Sequence, residues 1–133
     1  MLINSGDELP IYRQIMRQIT EAIAGGQLKS GDKLLSHREL SEQLVIAPLT
    51  VKKAYDELES LGFIESVRGR GTFVAAKLPM PDMEGDMERV RQTARRLLAQ
   101  AYLAGLNFEQ VRAILADAHE YLTRSHESEM EKA

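Results

Sequence analysis

The sequence contains no cysteine and no tryptophan among its 133 residues, and aromatic side chains make up only 5% of it. Without cysteine the chain has no disulfide, no thiolate metal site and no cysteine nucleophile. No apolar run approaches the roughly 18 residues of a membrane-spanning helix, and the first residues lack the basic and apolar segments of a secretory signal. We therefore expect a cytoplasmic protein that does not contact a membrane.

The net charge of −3 argues by itself against a nucleic-acid partner, but the charges are unevenly distributed. Residues 1–78 carry ten basic and ten acidic side chains, whereas residues 79–133 carry seven and ten. Local charge, rather than the total, sets the attraction to phosphate. A basic surface on the first part of the chain is therefore compatible with the negative total.

Three helices are predicted in the first part, over about residues 10–24, 36–44 and 48–61. Isoleucine recurs every fourth residue from Ile11 to Ile23, which is the stripe of an amphipathic helix. Ser36 and Glu39 match the capping box that begins a helix, and Pro48 suits the first position of the third. The inner face of the third helix is predicted to consist of Val51, Ala54, Tyr55, Leu58 and Leu61.

After Gly62 the apolar period shortens to about two, which predicts short strands in FIESV (63–67) and TFVAA (72–76). The residues between them, RGRG (68–71), include two glycines that suit the positive φ angles of a hairpin turn. Arginines beside glycines in an exposed turn indicate a backbone that approaches a negative partner. The element order predicts a winged helix-turn-helix, mainly α with a small β-hairpin (α+β).

Each element of such a fold has a place on duplex DNA. The short second helix crosses the sugar–phosphate backbone, and the third, the recognition helix, lies in the major groove. The hairpin, or wing, stands beside that helix and reaches the neighbouring minor groove, where arginine suits the negative potential. Residues 1–76 are therefore predicted to be a DNA-binding domain.

The remainder of the chain is predicted to be a linker over 77–86, two helices within 87–126 and a frayed tail over 127–133. The first helix should begin near Met87, and the last should extend over about 108–124. Two helices can hardly bury their broad apolar stripes alone, so we predict a two-fold homodimer. The predicted dimerisation residues are Leu97, Leu98, Ala101, Tyr102, Val111, Ile114, Leu115 and Leu122. In the alternative, this segment packs on its own DNA-binding domain.

Residues 10–75 resemble the DNA-binding domain of the GntR family of bacterial transcription regulators. The motifs that carry this likeness are SGDKL, S-x-REL, TV-x-x-AY-x-x-LE-x-x-G and RGRGTFV. The short helical remainder is similar to the YtrA-like subfamily, whose two-helix tail serves mainly in dimerisation.

The resemblance implies DNA contacts from the second helix, the recognition helix and the wing tip. In that order, the residues are Arg38, Thr50 and Lys52, and Arg68, Gly69 and Arg70. The predicted contact set also includes Ser36, His37 and Leu49. Alternatives stay open, because Arg38 could pair with Glu39 or Glu42, and Thr50 could serve only the start of its helix.

The chain departs from the family pattern before and within the recognition helix. Val45 replaces a glycine that is usual in the turn, and a β-branched residue is strained there if φ is positive. Ala47 and Leu49 stand where polar residues are common, so the helix loses a cap worth about 1 kcal/mol. Leu49 can touch a thymine methyl but cannot form a bidentate hydrogen bond. We expect these changes to preserve much of the affinity for DNA. We expect the preferred operator sequence, in contrast, to differ from the one typical of the family.

We therefore predict a transcriptional regulator, by analogy with the family a repressor, that binds a palindromic double-stranded operator as a homodimer. Neither a nucleophile–base constellation nor a phosphate loop nor a metal-ligand spacing indicates an enzyme, a cofactor or a metal. An effector of unknown identity would bind between the tail helices or at the 76–86 hinge. The alternative is a protein–protein interaction module, favoured by the neutral domain and the apolar stretch from Ala47 to Leu49.

Overall fold

The computed structural model describes residues 1–79 and 83–124 of the chain. The described residues fall into two compact units, the first containing residues 1–79 and the second residues 83–121. None of the helices in the described ranges combines the length and the hydropathy that crossing a bilayer would require.

The chain forms five helices and three strands in the described ranges. The helices are α1 (Ile11–Ala24), α2 (His37–Leu44), α3 (Pro48–Ser60), α4 (Met83–Leu103) and α5 (Phe108–Thr123), and the strands are β1 (Lys33–Leu34), β2 (Ile64–Val67) and β3 (Gly71–Val74). The three strands form one antiparallel sheet in the order β1-β3-β2. The predicted winged helix-turn-helix with two C-terminal helices is confirmed, and β1 is an additional strand.

The core of the first unit lies between α1, α2, α3 and the sheet. It is almost entirely aliphatic and consists of Ile15, Ile19, Leu28, Leu34, Leu35, Leu40, Val51, Ala54, Tyr55, Leu58, Ile64 and Val74. The predicted inner face of α3 is confirmed except at Leu61, whose side chain is 55% exposed. Leu61 follows the last helical residue, and Gly62 turns the chain with a φ of 88°. The helical stripe therefore ends at Leu58.

A buried glutamine fastens the N-terminal residues to α1. The Gln14 side-chain amide donates to the carbonyls of Asn4 (2.8 Å) and Leu9 (2.9 Å), and its oxygen accepts the Asn4 N–H (2.9 Å). Burial of an amide is tolerated when its hydrogen-bonding groups are paired. The isoleucine stripe did not predict this contact, because the partners are backbone groups outside the helix.

The second unit starts earlier than predicted. α4 begins at Met83, four residues before the predicted start near Met87, and so includes part of the predicted 77–86 linker. Glu84 and Asp86 lie in its first turn, where negative charge favours the helix dipole. Residues 80–82 of the linker and the 127–133 tail lie outside the described residues.

α5 begins with a reciprocal side-chain cap. Asn107 Oδ1 accepts the Gln110 N–H at 2.9 Å, and Gln110 Oε1 accepts the Asn107 N–H at 2.8 Å. Gly105, with a φ of 83°, lies between this cap and the end of α4 at Leu103.

Val45 occupies the left-handed region between α2 and α3, with a φ of 56° and a ψ of 52°. Its N–H donates to the Glu42 carbonyl at 3.3 Å, and the side chain is 86% exposed. The backbone at this turn therefore imposes a conformation that costs about 1–2 kcal/mol for a residue with a Cβ atom, and exposed valine has no packing to offset it.

Val45→Gly should therefore stabilise the fold by about 0.5–1 kcal/mol. Glycine relieves the left-handed strain, and its greater freedom in the unfolded chain cancels only about 0.4–1 kcal/mol of that gain. Urea unfolding followed by circular dichroism, at one protein concentration for all variants, measures the difference. Val45→Ala is the matched control, since it removes the same side chain but keeps the Cβ atom. A glycine variant no more stable than the alanine variant would contradict the strain.

Candidate nucleic-acid interface

α2 begins with the predicted capping box. Ser36 Oγ accepts the Glu39 N–H at 3.1 Å, and Glu39 Oε1 accepts the Ser36 N–H at 3.0 Å. These hydrogen bonds, and after them the charge of Lys33, hold the pKa of the Glu39 carboxyl below its ordinary value. Ser36 therefore fixes the start of the helix, and Arg38 extends from its first turn into solvent.

The recognition helix α3 starts without a side-chain cap. Ala47 offers no hydrogen bond there, and Pro48 occupies the first turn. On the inner side, the Tyr55 hydroxyl donates to the buried Leu35 carbonyl at 2.7 Å. Burial raises the pKa of Tyr55, so the hydroxyl stays protonated and remains a donor. This bond ties α3 to the segment before α2 and sets the relative position of the two helices.

The wing turn contains three residues, one fewer than predicted. Gly71 pairs with Val67 in the β2–β3 ladder, which leaves Arg68, Gly69 and Arg70 as the connection. The Arg70 N–H donates to the Val67 carbonyl at 2.9 Å, and Gly69 has a φ of 80°. All three turn residues are exposed, so both guanidinium groups are available to a partner.

Lys33 is a further cation near α2 and the wing, and it was not among the DNA-contacting residues predicted from the sequence. A Cβ atom at Gly71 would lie only 3.0 Å from Lys33 Cε, and the lysine charge also acts on Glu39. Lys33 therefore lies between the start of α2 and the base of the wing, beside the sequence neighbours of Arg38 and Arg70. It stands in a strand of two residues, which is too short to show an apolar period.

The arginines of this surface are unpaired. In residues 1–79 and 83–124, none of Arg38, Arg68 and Arg70 has a side chain in an ion pair. The alternative in which Arg38 pairs with Glu39 or Glu42 is therefore not what the structure has. Unpaired guanidinium groups can approach phosphate without first breaking an ion pair.

The two lysines of α3 are engaged in different ways. Lys52 Nζ lies 2.8 Å from Asp56 Oδ2, and both side chains are exposed. Such a surface pair is worth less than about 1 kcal/mol, so a phosphate can compete for the lysine. Lys53, which is not among the predicted DNA-contacting residues, has its Nζ 4.3 Å from the centroid of the Tyr12 ring on α1. This cation–π contact holds the lysine against α1.

The nine predicted DNA-contacting residues all lie on α2, α3 and the wing of the first unit. Those with exposed side chains or backbone are Arg38, Leu49, Lys52, Arg68, Gly69 and Arg70, and those half-buried are Ser36, His37 and Thr50. The half-buried positions stand at the starts of α2 and α3. The exposed subset has the strongest case for contacting DNA.

The predicted dimerisation residues differ in how much surface they keep in the single chain. Tyr102, Ile114 and Leu115 are exposed, whereas Leu97, Leu98 and Leu122 are half-buried. Ala101 and Val111 are buried. Both stand close to the turn between α4 and α5, where the Ala101 carbonyl accepts the Leu106 N–H at 2.9 Å. These two have little surface left for a second copy.

Two surface cavities accompany these features. One of about 470 Å³ in the first unit lies between α1 and α3, with Tyr12, Arg13 and Leu61 in its lining. The other, of about 500 Å³, lies along α4 between Thr93 and Leu103. No group of three or more metal-ligating side chains lies together in the part of the chain that the structure describes.

Comparison with known proteins agrees with this architecture. A sequence-family model described as bacterial regulatory proteins, gntR family, matches residues 11–74 of the chain. The HTH-type transcriptional repressor YtrA of Bacillus subtilis is 39% identical over 109 residues, which are 82% of this chain and 84% of YtrA.

Two solved structures are similar to the chain in fold and sequence. A protein described as a transcriptional antiterminator from Listeria monocytogenes EGD-e has a TM-score of 0.73 at 31% identity, with 92% of each chain covered. The DNA-binding domain of AraR in complex with its operator ORX1 has a TM-score of 0.50 at 34% identity, covering 56% of this chain and 93% of that one.

The match extends beyond the winged helix into the C-terminal helices, since the YtrA alignment covers most of both chains. The homologues are regulators of transcription and not enzymes. The chain therefore belongs to the GntR family of bacterial transcriptional regulators, in its YtrA-like branch.

Proposed function

We propose that the chain acts as a homodimeric repressor that binds a palindromic operator, with α3 in the major groove and the wing in the adjacent minor groove. The observation that carries this proposal is the set of exposed, unpaired arginines on α2 and on the wing, namely Arg38, Arg68 and Arg70. Phosphate contacts from such groups supply affinity and release counterions. Lys52, which a phosphate can draw from Asp56, would add a fourth cation per half-site, and Lys33 lies beside the base of the wing.

The C-terminal helices support the homodimer. Large apolar side chains remain exposed along α4, the turn and α5, namely Met87, Val90, Tyr102, Leu103, Phe108, Ile114, Leu115 and Tyr121. Isolated monomers rarely expose so many on one short segment. The cavity along α4, with Leu97 and Leu103 in its lining, gives a second copy a place for an apolar side chain.

The remaining parts of the proposal rest on the family. YtrA of Bacillus subtilis is named a repressor, and AraR was solved on operator DNA. A chain that binds chromosomal operators in the same manner works in the cytoplasm. An effector bound near the tail helices or the 76–86 hinge would change the spacing of the two recognition helices and thereby the affinity for the operator.

Selection of bound sequences from random duplexes tests binding, symmetry and spacing together. We expect enrichment of a palindrome whose half-sites lie about 34 Å apart, or a multiple of one DNA turn. With about four cationic contacts in each half-site, the slope of log affinity against log salt should be about −7 for the dimer. Enrichment of a single, asymmetric site would contradict the dimer, and no enrichment at all would contradict operator recognition.

A protein–protein interaction module is the second candidate. It is favoured by the exposure of Val45 and Leu49 near the start of α3, because exposed apolar patches mark protein–protein interaction sites. This function predicts only non-specific binding of DNA, with equal affinity for a selected and a scrambled duplex. A gel shift with both duplexes at the same salt concentration distinguishes the two functions.

A further inference from the structure

Exposed apolar residues stand at the start of the recognition helix and in the turn before it. Val45, Ala47, Pro48 and Leu49 are all exposed, with Leu49 at 77%. We refer to these four residues as the apolar tip. They are contributed by the turn and the first residues of α3, which in a helix-turn-helix are the positions that face base edges.

Polar groups that could read bases are scarce beside the apolar tip. Thr50 is half-buried, and Lys52 lies beyond the first turn of α3. Ala47 and Pro48 have no side-chain hydrogen-bonding groups. The first turn of α3 therefore presents methyl and methylene groups where a bidentate donor–acceptor pair would be needed to recognise guanine or adenine.

The chemistry of the partner that would contact the apolar tip is inferred from the charged residues of the same unit. Arg38 on α2 and Arg68 and Arg70 on the wing, which precede and follow α3 along the chain, are exposed cations of the same unit, which matches a partner that carries phosphate groups. On the floor of the major groove, the 5-methyl group of thymine is the one apolar group that a base pair presents. An exposed apolar side chain in a unit that also carries these cations fits a thymine methyl in a groove bounded by phosphate backbones.

We propose that the apolar tip reads thymine, with Leu49 in contact with the 5-methyl group, so that each operator half-site requires a thymine facing Leu49. This inference rests on the proposed function and specifies the base chemistry of its operator. The contact recognises a methyl group rather than a hydrogen-bonding edge. Discrimination at that base pair is therefore governed by the presence of the methyl group.

Replacement of thymine by deoxyuridine isolates this contact, because it removes the methyl group and leaves the base-pairing edges unchanged. Burial of one such group contributes a factor of about four in affinity, and two symmetric half-sites contribute about fifteen. Each thymine of the selected palindrome is replaced in turn, in both half-sites together, and dissociation constants are measured by fluorescence anisotropy. We expect one thymine per half-site to give the fifteenfold loss.

Variants of the protein assign the effect to Leu49. Leu49→Ala should bind the thymine and deoxyuridine operators with nearly equal affinity. Leu61→Ala is the matched control, since Leu61 is another exposed leucine, just beyond the opposite end of α3, and this variant should keep the fifteenfold ratio.

Three outcomes would overturn the inference. Equal affinity for the selected palindrome and for each of its deoxyuridine versions would overturn the inference but leave the proposed function intact. This is the result expected if a protein partner, rather than thymine, contacts the apolar tip. A Leu49→Ala variant that retains the fifteenfold ratio would also overturn it. Failure to select any duplex would overturn the proposed function and this inference together.

Discussion

Replacing Arg38 and Arg70 together by alanine is expected to weaken operator binding by about 30-fold to about 10⁴-fold. Each substitution should cost about 1–3 kcal/mol, because in the proposed complex each guanidinium would contact DNA. The two residues lie on separate elements, so their effects should be nearly additive, and about 1.4 kcal/mol corresponds to a factor of ten. Both side chains are exposed and form no ion pair in the described residues, so the fold should be unaffected.

The two single variants should differ in the kind of binding they lose. Arg38 extends from α2, the helix proposed to cross the sugar–phosphate backbone, so Arg38→Ala should weaken operator and scrambled duplexes alike and reduce the salt slope by about two for the dimer. Arg70 extends from the wing turn. Arg70→Ala should also reduce the preference for A·T-rich flanks, where the narrow minor groove attracts arginine. Anisotropy titrations of both duplexes over a range of salt measure both effects.

Arg17→Ala is the control for loss of one positive charge. Arg17 lies on α1, outside the predicted contact set, with its guanidinium 3.8 Å from Asp7. Its removal changes the net charge by the same amount and should leave operator affinity within about twofold, since long-range charge effects are screened at physiological salt. Unchanged binding by both Arg38→Ala and Arg70→Ala would remove the proposed contact surface.

The elements that the sequence predicted correctly are those with local signals. The isoleucine stripe defined α1, and Ser36 and Glu39 defined the start of α2, because a helix places residues three and four apart on one face. The positive φ of Val45 was predictable for a similar reason. The turn between α2 and α3 is short, and the family resemblance marks its glycine position.

Long-range placement could not be predicted in this way. β1 has only two residues, and its existence depends on pairing with β3 some forty positions later. The contact of Lys33 with the wing follows from that pairing, so no local pattern could assign Lys33 to the interface. The wing turn was predicted one residue too long because Gly71 pairs with Val67, and a glycine between two strands gives no indication of which side of the turn it belongs to.

Several apolar side chains of the C-terminal helices remain exposed in the single chain, and this exposure bears most directly on function. Ile114 and Leu115 remain 45% and 49% exposed in the single chain, although they follow the buried Val111 at the three- and four-residue spacing of one helical face. Apolar surface buried against a partner contributes about 25 cal/mol per Å². The stability of the predicted dimer, and with it the affinity for a two-half-site operator, should therefore depend on this face.

The double variant Ile114→Lys and Leu115→Lys is expected to be monomeric and to bind the operator about 10²-fold to 10⁴-fold more weakly. Two buried ammonium groups per chain would oppose association, and a monomer loses the effective concentration that the second half-site provides. Sedimentation velocity gives the oligomeric state, and anisotropy titration gives the affinity. The added positive charge would by itself favour DNA binding, so a loss of affinity cannot be a simple charge effect.

The matched control places the same two charges on the opposite face of the same helix. Ala113 and Ala116 are exposed on α5, and Ala113→Lys with Ala116→Lys should remain a dimer with operator affinity equal to or slightly above that of the parent. If the segment instead packed on its own DNA-binding domain, the Ile114 and Leu115 variant would be less stable to urea without a change in sedimentation. A variant that stays dimeric, or a monomer that keeps full operator affinity, would therefore show that two-fold pairing of these helices does not hold the two recognition helices on the operator.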